Sequence, residues 1–362
     1  MSREATDIEE GTQVYRPGGF HPLYIGDVFK DRYKVLNKIG YGVYSTVWLF
    51  RALKVLSADS YEGTISPIFE REILTHLRDG DRDQIGYDYV CHLFDDFEHR
   101  GPMERTLPNS VMRRITIQLL LVLNFAHEHN VIHTDIKPDN TFVKFRDHSL
   151  IESGYLTDVP IPQQNRSEEQ YSVVPSTPLR RYYFNDADSR RVDEFDIALG
   201  DWGVSSWANR HLSETIQPVA LRSPEVLIQA LSDASTDFWN LGAVVLEIFQ
   251  VVRIFSGSVP PDGHYELKEH LAEIVDLFGP FLDELLAKGD QNLVRDVFGD
   301  DGRIKDAPSM NRPGLASEAF MPGLEQELRD RFASFLHAMM KINPTDRVSA
   351  EDLLRHPWLV AL

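Results

Sequence analysis

The clearest chemical pattern in the sequence is the run VIHTDIKPDN at residues 131–140. It holds Asp135, Lys137 and Asn140 at relative positions 0, +2 and +5. A loop with these residues can place a carboxylate beside an attacking hydroxyl, an ammonium near a transferred phosphoryl group and an amide oxygen on a metal ion. We therefore predict that Asp135 and Lys137 are catalytic and that Asn140 is a metal ligand.

A second metal ligand is expected at Asp201, within Gly-Asp-Trp-Gly at residues 200–203. An Asp-Trp-Gly tripeptide by itself is more often an ordinary turn. Because it follows the 131–140 run and its carboxylate precedes a glycine hinge, we predict that Asp201 binds Mg²⁺ across phosphate groups.

Residues suited to phosphate binding lie nearer the N-terminus. Gly40 and Gly42 fall in a predicted strand-turn-strand, where missing side chains let backbone N–H groups approach phosphate oxygens. Such a pair also occurs in plain hairpins, so it is weak evidence alone. Lys54 follows on a predicted strand, where an inward ammonium needs an anionic partner. Glu72, on the next predicted helix, is our candidate for that partner.

The elements that must position these residues differ between two parts of the chain. In the first part, residues 32–54 predict three short strands, 66–77 a helix and 90–97 another strand. In the second part, helical spacing is found at residues 109–130, 235–252, 267–278, 325–341 and 350–362.

Residues 144–196 contain four prolines and many serines, with little periodicity, and this pattern is typical of a loop-rich insert. We divide the chain into a flexible acidic N-terminus at 1–14, a strand-rich unit at 15–108 and a helical unit at 109–362. The insert belongs to the helical unit.

Composition limits the class of protein and of partner. The 362 residues are 42% hydrophobic and 26% charged, as in a folded globular chain. The net charge of −19 repels nucleic acids and anionic lipids and attracts cationic peptides. No signal peptide and no apolar run of membrane-spanning length is evident. We expect a monomer of the cytoplasm and nucleus that binds neither nucleic acid nor membrane.

The histidines around the 131–140 run do not predict a zinc site. His127 and His129 are two residues apart at a helix end, so they face different sides, and no third ligand is placed nearby. We expect His133 to be a packed residue that supports the loop.

Taken in order, these motifs resemble those of the eukaryotic protein kinases. The series continues with SPE at 223–225, DFWNLG at 237–242 and Asp-Arg at 346–347. Four segments resemble one subfamily, the SR-protein kinases. They are residues 15–29, STVW at 45–48, His-Thr-Asp at 133–135 and RHPWL at 355–359. The resemblance extends from residue 15 to residue 362, apart from the insert and two shortened segments.

The resemblance implies an α+β, bilobal protein kinase fold with a small β-rich N-lobe, here incomplete, and a larger helical C-lobe. It implies ATP and Mg²⁺ as cofactors and adds Val47 to the cofactor-binding residues Gly40, Gly42, Lys54 and Glu72. The implied reaction is transfer of the ATP γ-phosphoryl group to serine in Arg/Ser-rich splicing factors, which would link the protein to the regulation of mRNA processing.

The resemblance also implies a buried ion pair between Glu225 and Arg347, which ties the activation segment to the C-terminal helices. Thr134 replaces the arginine that in many kinases binds an activation-loop phosphate, and the stretch from Asp201 to Glu225 is short. Constitutive activity is therefore implied.

Three carboxylates predict a docking site for a basic substrate. Glu269, Glu273 and Asp276 have the spacing i, i+4 and i+7 of one helix face. The resemblance places an acidic docking groove at the first and last of them, where Arg-rich segments would bind. The alternative is an ordinary solvated helix face.

The first shortened segment is the hairpin that precedes Lys54. Only residues 48–51 separate Val47 from Ala52. If those two residues oppose each other, Lys54 lies opposite Ser45 and on the same face as Val47, because side chains alternate with a period of two.

The second shortened segment, residues 98–108, lacks most of the strand, hinge and short helix that the family has there. We therefore expect a less stable N-lobe and weak or absent adenine binding. A rival interpretation is a catalytically impaired pseudokinase or truncated product that binds Arg-rich partners through the acidic groove. A third interpretation is a kinase that acts on other basic substrates. Its preference among peptides would distinguish it from a kinase of Arg/Ser-rich proteins.

Overall fold

The structure is a computed structural model, and it describes residues 10, 12–15, 20, 22–29, 33–41, 45–49, 53–56, 70–90, 109–144, 154–159, 164, 173–177, 196–250, 254–255, 257–259, 264–307, 313–318, 320–321 and 323–360. Of the strand predicted at 90–97, only Val90 is described, and it forms a parallel bridge with Leu199. The short segment 98–108 lies outside the described residues, so the boundary at residue 108 stays a prediction.

The strand-rich unit begins with a hairpin and continues with a three-stranded antiparallel sheet. The hairpin joins β1 (Val28–Phe29) to β2 (Tyr33–Lys34). The sheet consists of β3 (Asn37–Tyr41), β4 (Ser45–Leu49) and β5 (Leu53–Leu56), in that order. Helix α1 (Glu70–Arg78) follows and covers the C-terminal part of the helix predicted at 66–77.

Strand pairing corrects the register expected for the short hairpin. Val47 lies opposite Lys54, whereas the expectation placed Val47 opposite Ala52 and Lys54 opposite Ser45. The closing pair is Trp48 with Leu53, so four residues still form the turn, as expected, but the turn lies one residue further along the chain. A shift of two positions preserves the face, since the side-chain period is two, so Val47 and Lys54 still occupy positions of one face.

Part of the 144–196 insert packs on this sheet. The backbone N–H of Thr177 donates to the carbonyl of Lys38 on the outer edge of β3, over 3.0 Å. Insert side chains also lie against both faces of the sheet. Because buried backbone groups need partners, this contact satisfies one group on an edge strand. Residues 154–159 and 173–177 of the insert are thus an additional layer of the strand-rich unit.

The side chain of Lys38 is buried against the N-terminal segment. Its Nζ lies 2.6 and 2.5 Å from the two carboxylate oxygens of Glu10. The hydroxyl of Tyr15 donates to the same carboxylate over 2.5 Å. Pairing offsets the desolvation of the two charges. Glu10, in the segment expected to be flexible, therefore makes a buried contact with β3.

The helical unit has long helices where apolar spacing predicted them. In chain order, the further elements are α2 (Asn109–Glu128), β6 (Val131–Ile132), β7 (Thr141–Lys144), α3 (Leu156–Asp158), β8 (Asp196–Leu199), β9 (Ser206–Trp207), α4 (Pro224–Leu227), α5 (Thr236–Gln250), β10 (Ser258–Val259), β11 (His264–Tyr265), α6 (Leu267–Phe278), α7 (Asp283–Leu286), α8 (Gln291–Val297), α9 (Gln326–Met339), α10 (Ala350–Leu354) and α11 (Pro357–Val360). Apolar side chains of α2, α5, α6 and α9 share one core. None of the described helices combines the length and apolar character needed to cross a membrane.

The prediction of one helix at 350–362 is wrong, because the structure has two short helices there. Helix α10 ends at Leu354 and α11 begins at Pro357. Proline has no N–H to continue a preceding helix, and its fixed φ suits the first position of a new one. Ser349 caps α10, since its Oγ accepts the N–H of Asp352 over 3.2 Å.

The predicted ion pair between Glu225 and Arg347 is confirmed. Arg347 Nη1 and Nη2 lie 2.7 and 2.6 Å from the two carboxylate oxygens, and both side chains are fully buried. Arg347 also donates to the carbonyl of Ser235 over 3.1 Å. Removing one partner of such a buried pair costs about 3–5 kcal/mol, because the other charge remains inside. The pair therefore fixes α4 to the segment that precedes α10.

Candidate active site

The 131–140 loop is organised by one buried carboxylate, that of Asp237 in the first turn of α5. Its Oδ2 accepts the backbone N–H of His133 over 2.8 Å, and its Oδ1 accepts that of Thr134 over 2.9 Å. Thr134 has a φ of 67°, a left-handed conformation that is unfavourable for a β-branched residue. The two hydrogen bonds therefore hold a strained backbone in place.

His133 connects this loop to the segment that carries Asp201. Its ring is buried, with Nε2 3.0 Å from the carbonyl oxygen of Gly200. It also makes an edge-on contact with Trp202, with the ring centroids 4.6 Å apart. Ser205 Oγ donates to the carbonyl of His133 over 3.1 Å. The prediction that His133 is a packed residue supporting the loop is confirmed.

The three polar residues of the loop converge on one carboxylate. Asp135 Oδ2 accepts from Lys137 Nζ over 2.7 Å and from Asn140 Nδ2 over 3.1 Å. Asn140 Nδ2 also donates to the carbonyl of Asp135 over 2.8 Å. Asp135 and Lys137 are partly exposed, whereas Asn140 is buried. The structure thus brings together the residues predicted to act on a hydroxyl and on a phosphoryl group.

Asn140 and Asp201 are neighbours across a strand pair. The N–H of Gly200 donates to the carbonyl of Asn140 over 2.9 Å, and β7 pairs with β8 immediately beside it. Among the described residues, Asn140 Oδ1 is a buried oxygen with no hydrogen-bond partner. Asp201 has a φ of 58° at the turn after β8. An amide oxygen and a carboxylate are ligands that Mg²⁺ prefers, so these residues fit the ion.

The residues predicted to bind nucleotide are described only in part. Gly40 is buried in β3, and Val47 in β4 is 0% exposed beneath the insert. Lys54 and Glu72 lie in β5 and α1, but their side chains are outside the described part of the chain, as is Gly42. The predicted contact between Lys54 and Glu72 therefore stays a prediction.

Sequence reasoning missed a residue in the segment between Asp201 and Glu225. Gln217 is buried, with a φ of 68°. Its Nε2 donates to the carbonyl of Thr236 over 3.1 Å, and its Oε1 accepts the N–H of Ser223 over 2.8 Å. No motif in the sequence singled out this glutamine, because neither contact has a recognisable spacing and Thr236 is 19 residues away. These neutral hydrogen bonds hold the segment against the start of α5.

The three docking carboxylates differ in their surroundings on α6. Glu273 is 4% exposed, and its Oε2 accepts the N–H of Gly257 over 3.0 Å. Glu269 and Asp276 are partly exposed. The helix itself begins and ends at the predicted residues, Leu267 and Phe278. Of the three, Glu269 and Asp276 are accessible to a substrate, and Glu273 supports the preceding loop.

His127 and His129 have partners within the protein. His127 Nε2 lies 2.9 Å from Asp237 Oδ2, and His129 Nδ1 lies 2.8 Å from the carbonyl of Phe125. Across the described ranges, no group of three or more His, Cys, Asp or Glu residues is arranged to hold a metal ion.

Comparison with known proteins finds similarity to protein kinases. The protein kinase domain family matches residues 187–359. A serine/threonine protein kinase of Aspergillus fumigatus is 28% identical, over 98% of this chain and 91% of its own length. Serine/threonine-protein kinase SRPK of Physarum polycephalum is 26% identical, over 97% of this chain and 91% of its own length. SRSF protein kinase 3 of Homo sapiens is 24% identical, over 97% and 90%.

A solved crystal structure of a kinase domain matches this fold with a TM-score of 0.60 at 19% identity. The match covers 94% of this chain and 98% of the other. The predicted α+β kinase fold is confirmed, and so is the similarity to SR-protein kinases, which the motifs had indicated.

Burial of His270 on α6 makes stability depend on pH. Burial lowers the pKa of this imidazole from 6.5 to about 4, against the opposing effect of the nearby Glu273 carboxylate. The folded state thus keeps the ring neutral, while the unfolded chain binds a proton below pH 6.5. Stability from this group is complete above pH 6.5 and is lost as the pH falls towards 4, by about 3 kcal/mol in total.

We expect the free energy of unfolding, measured with urea, to fall between pH 7 and pH 4.5. It should fall less in His270→Gln, because glutamine does not titrate. His264→Gln, at a half-exposed histidine, is the control. Its free energy of unfolding should change with pH as steeply as that of the parent chain. The same pH dependence of the free energy of unfolding in the parent and in His270→Gln would contradict the assignment of this effect to His270.

Proposed function

We propose that this chain, whose residues 187–359 match the protein kinase domain family, transfers the γ-phosphoryl group of ATP to serine in Arg/Ser-rich proteins. The observation that carries the proposal is the convergence of Lys137 Nζ and Asn140 Nδ2 on one carboxylate oxygen of Asp135, at 2.7 and 3.1 Å. Because both donors contact Oδ2, the proposal assigns the approaching hydroxyl to Oδ1 of Asp135.

In the proposed reaction, Asp135 orients the serine hydroxyl and accepts its proton as the new O–P bond forms and the bond to ADP breaks. Lys137 neutralises charge on the moving phosphoryl group. Asn140 and Asp201 would hold Mg²⁺, which offsets phosphate charge when bound. The buried Oδ1 of Asn140 supports this role.

We assign the phosphates and base of ATP to the three-stranded sheet. Gly40 and Gly42 would approach the phosphates with backbone N–H groups, and Lys54, oriented by Glu72, would contact them with its ammonium. Val47 would contact the adenine. The pairing of Val47 opposite Lys54 supports a common face for the two contacts.

Arg-rich substrates fit the charge of the chain and of α6. The net charge of −19 attracts basic peptides, and Glu269 and Asp276 are accessible carboxylates on one helix face. The relatives named SRPK and SRSF protein kinase support the same substrate class. Such a kinase would act in the cytoplasm and nucleus as a monomer, without direct contact to nucleic acid.

The hydrogen bonds of Gln217 support activity without a phosphorylated activation segment. Gln217 joins Ser223 to Thr236, and the hydroxyls of Ser223 and Thr236 lie 2.7 Å apart. These contacts are present in the unmodified chain, so no added charge is needed to order the segment.

The second candidate is a pseudokinase that binds Arg-rich partners without turnover. The burial of Val47 beneath the insert favours it, because this residue is one that adenine would contact. Binding of Mg-ATP separates the candidates, since a docking protein has no need of it.

The proposed reaction predicts transfer of labelled phosphate from Mg-ATP to an Arg-Ser repeat peptide, with a slower rate on a Lys-Ser repeat. Asp135→Ala should lower the rate about 10²–10⁴-fold, because proton acceptance and hydroxyl orientation are lost. A filter-binding assay with both chains measures this. Full transfer by Asp135→Ala would contradict the mechanism, and peptide binding without transfer by the parent would favour the pseudokinase.

Combined Glu269→Gln and Asp276→Asn should raise the KM for the Arg-Ser peptide about fivefold and leave kcat unchanged, because each accessible charge contributes under about 1 kcal/mol. The effect should shrink in high salt. The matched control is Asp283→Asn with Glu284→Gln, which removes two exposed charges from neighbouring α7. Equal effects of the two pairs would contradict specific docking on α6.

A further inference from the structure

The face of the sheet that carries Val47 is apolar and already has an occupant. Ile39 on β3 and Val47 and Leu49 on β4 are buried together with Tyr155 of the insert. Leu156 and Val159, from the same turn of the insert, are partly buried against the group. Tyr155 is 0% exposed, so its ring is enclosed by this face.

Directional hydrogen bonds fix the ring of Tyr155 in this position. Its hydroxyl accepts from Asn37 Nδ2 over 3.1 Å and donates to the carbonyl of Thr177 over 2.9 Å. Asn37 belongs to β3, and Thr177 is itself bound to the edge of β3. The hydroxyl of this buried ring both donates and accepts a hydrogen bond. Such a contact fixes the orientation of the ring, which apolar packing alone does not do.

We propose that Tyr155 and its neighbours at 154–159 form an internal plug, which occupies the adenine-binding face of the sheet and competes with ATP. The inference rests on the proposed function, since it takes this face as the site of the base. An aromatic ring packed on aliphatic side chains occupies the same apolar surface that a purine ring would use. The plug and the nucleotide therefore exclude each other.

The insert is anchored independently of the plug. Val174 packs with Leu23, Val35 and Trp48 on the opposite face of the sheet. Gln164 bonds to the backbone of the same region, since its Oε1 accepts the N–H of Ile25 over 2.7 Å. Tyr155 can therefore leave the face while the rest of the insert stays attached, which keeps the plug at a high local concentration.

Competition predicts the direction and size of the change in nucleotide affinity. If the open state is a minor fraction of molecules, the apparent Kd of a nucleotide is raised by the inverse of that fraction. Tyr155→Ala removes the ring and should tighten binding of a non-hydrolysable Mg-ATP analogue by about tenfold or more. Tyr155→Phe removes only the two hydrogen bonds and should tighten it by about threefold.

The test combines calorimetric titration of this analogue with hydrogen exchange on the parent chain. Val174→Ala is the matched control, because it shortens a buried insert residue on the other face. In the parent chain, the analogue should speed exchange of the Val159 amide, which is hydrogen-bonded to the Tyr155 carbonyl over 2.9 Å. That readout needs no variant, so it stands even if Tyr155→Ala fails to fold.

Tighter binding by the two Tyr155 variants, without a change in Val174→Ala, would support the plug, and so would faster exchange at Val159 in the parent. Equal affinities with unchanged exchange would overturn it while leaving the kinase function intact. An analogue that bound neither the parent nor either Tyr155 variant would overturn the plug together with the proposed use of ATP.

Discussion

Two consecutive backbone N–H groups, those of His133 and Thr134, point at the buried carboxylate of Asp237. A carboxylate at a helix N-terminus is favoured by the helix dipole, so α5 supplies a stable anchor. The anchor holds Thr134 at a positive φ, and this turn directs the next residue, Asp135, towards Lys137 and Asn140. The geometry of the proposed catalytic residues therefore depends on a residue about a hundred positions away in sequence.

The insert leaves and re-enters the fold beside Asn140 and Asp201, the two proposed metal ligands. Strand β7 follows Asn140, strand β8 precedes Asp201, and the two strands pair from Thr141 opposite Leu199 to Lys144 opposite Asp196. This ladder closes the base of the insert. The insert can therefore change its contacts with the N-terminal sheet while Asn140 and Asp201 keep their relation. The proposed catalytic loop and the proposed plug therefore belong to separate parts of one chain.

The sequence was sufficient for the features that depend on nearby residues. The spacing of the 131–140 run identified the residues that converge on Asp135, and apolar periodicity placed α6 at its observed ends. The two-residue register shift at Lys54 was not predictable, since a four-residue turn can close at either of two neighbouring places along this segment. The contacts of Tyr155 with Asn37 and of Gln217 with Thr236 were not predictable either, because these partners are 118 and 19 residues away and carry no periodic signal.

The most direct test of the role of Asp237 is kcat for peptide phosphorylation by Asp237→Asn, measured where circular dichroism shows the chain to be folded. Asparagine keeps the size of the side chain but turns an NH₂ group towards backbone N–H donors, so one hydrogen bond is lost. We expect kcat to fall about 100-fold, since small misplacements of catalytic groups have effects of this size. Asp233→Asn, at an exposed residue just before α5, should keep the parent rate. An unchanged kcat in folded Asp237→Asn would contradict the account.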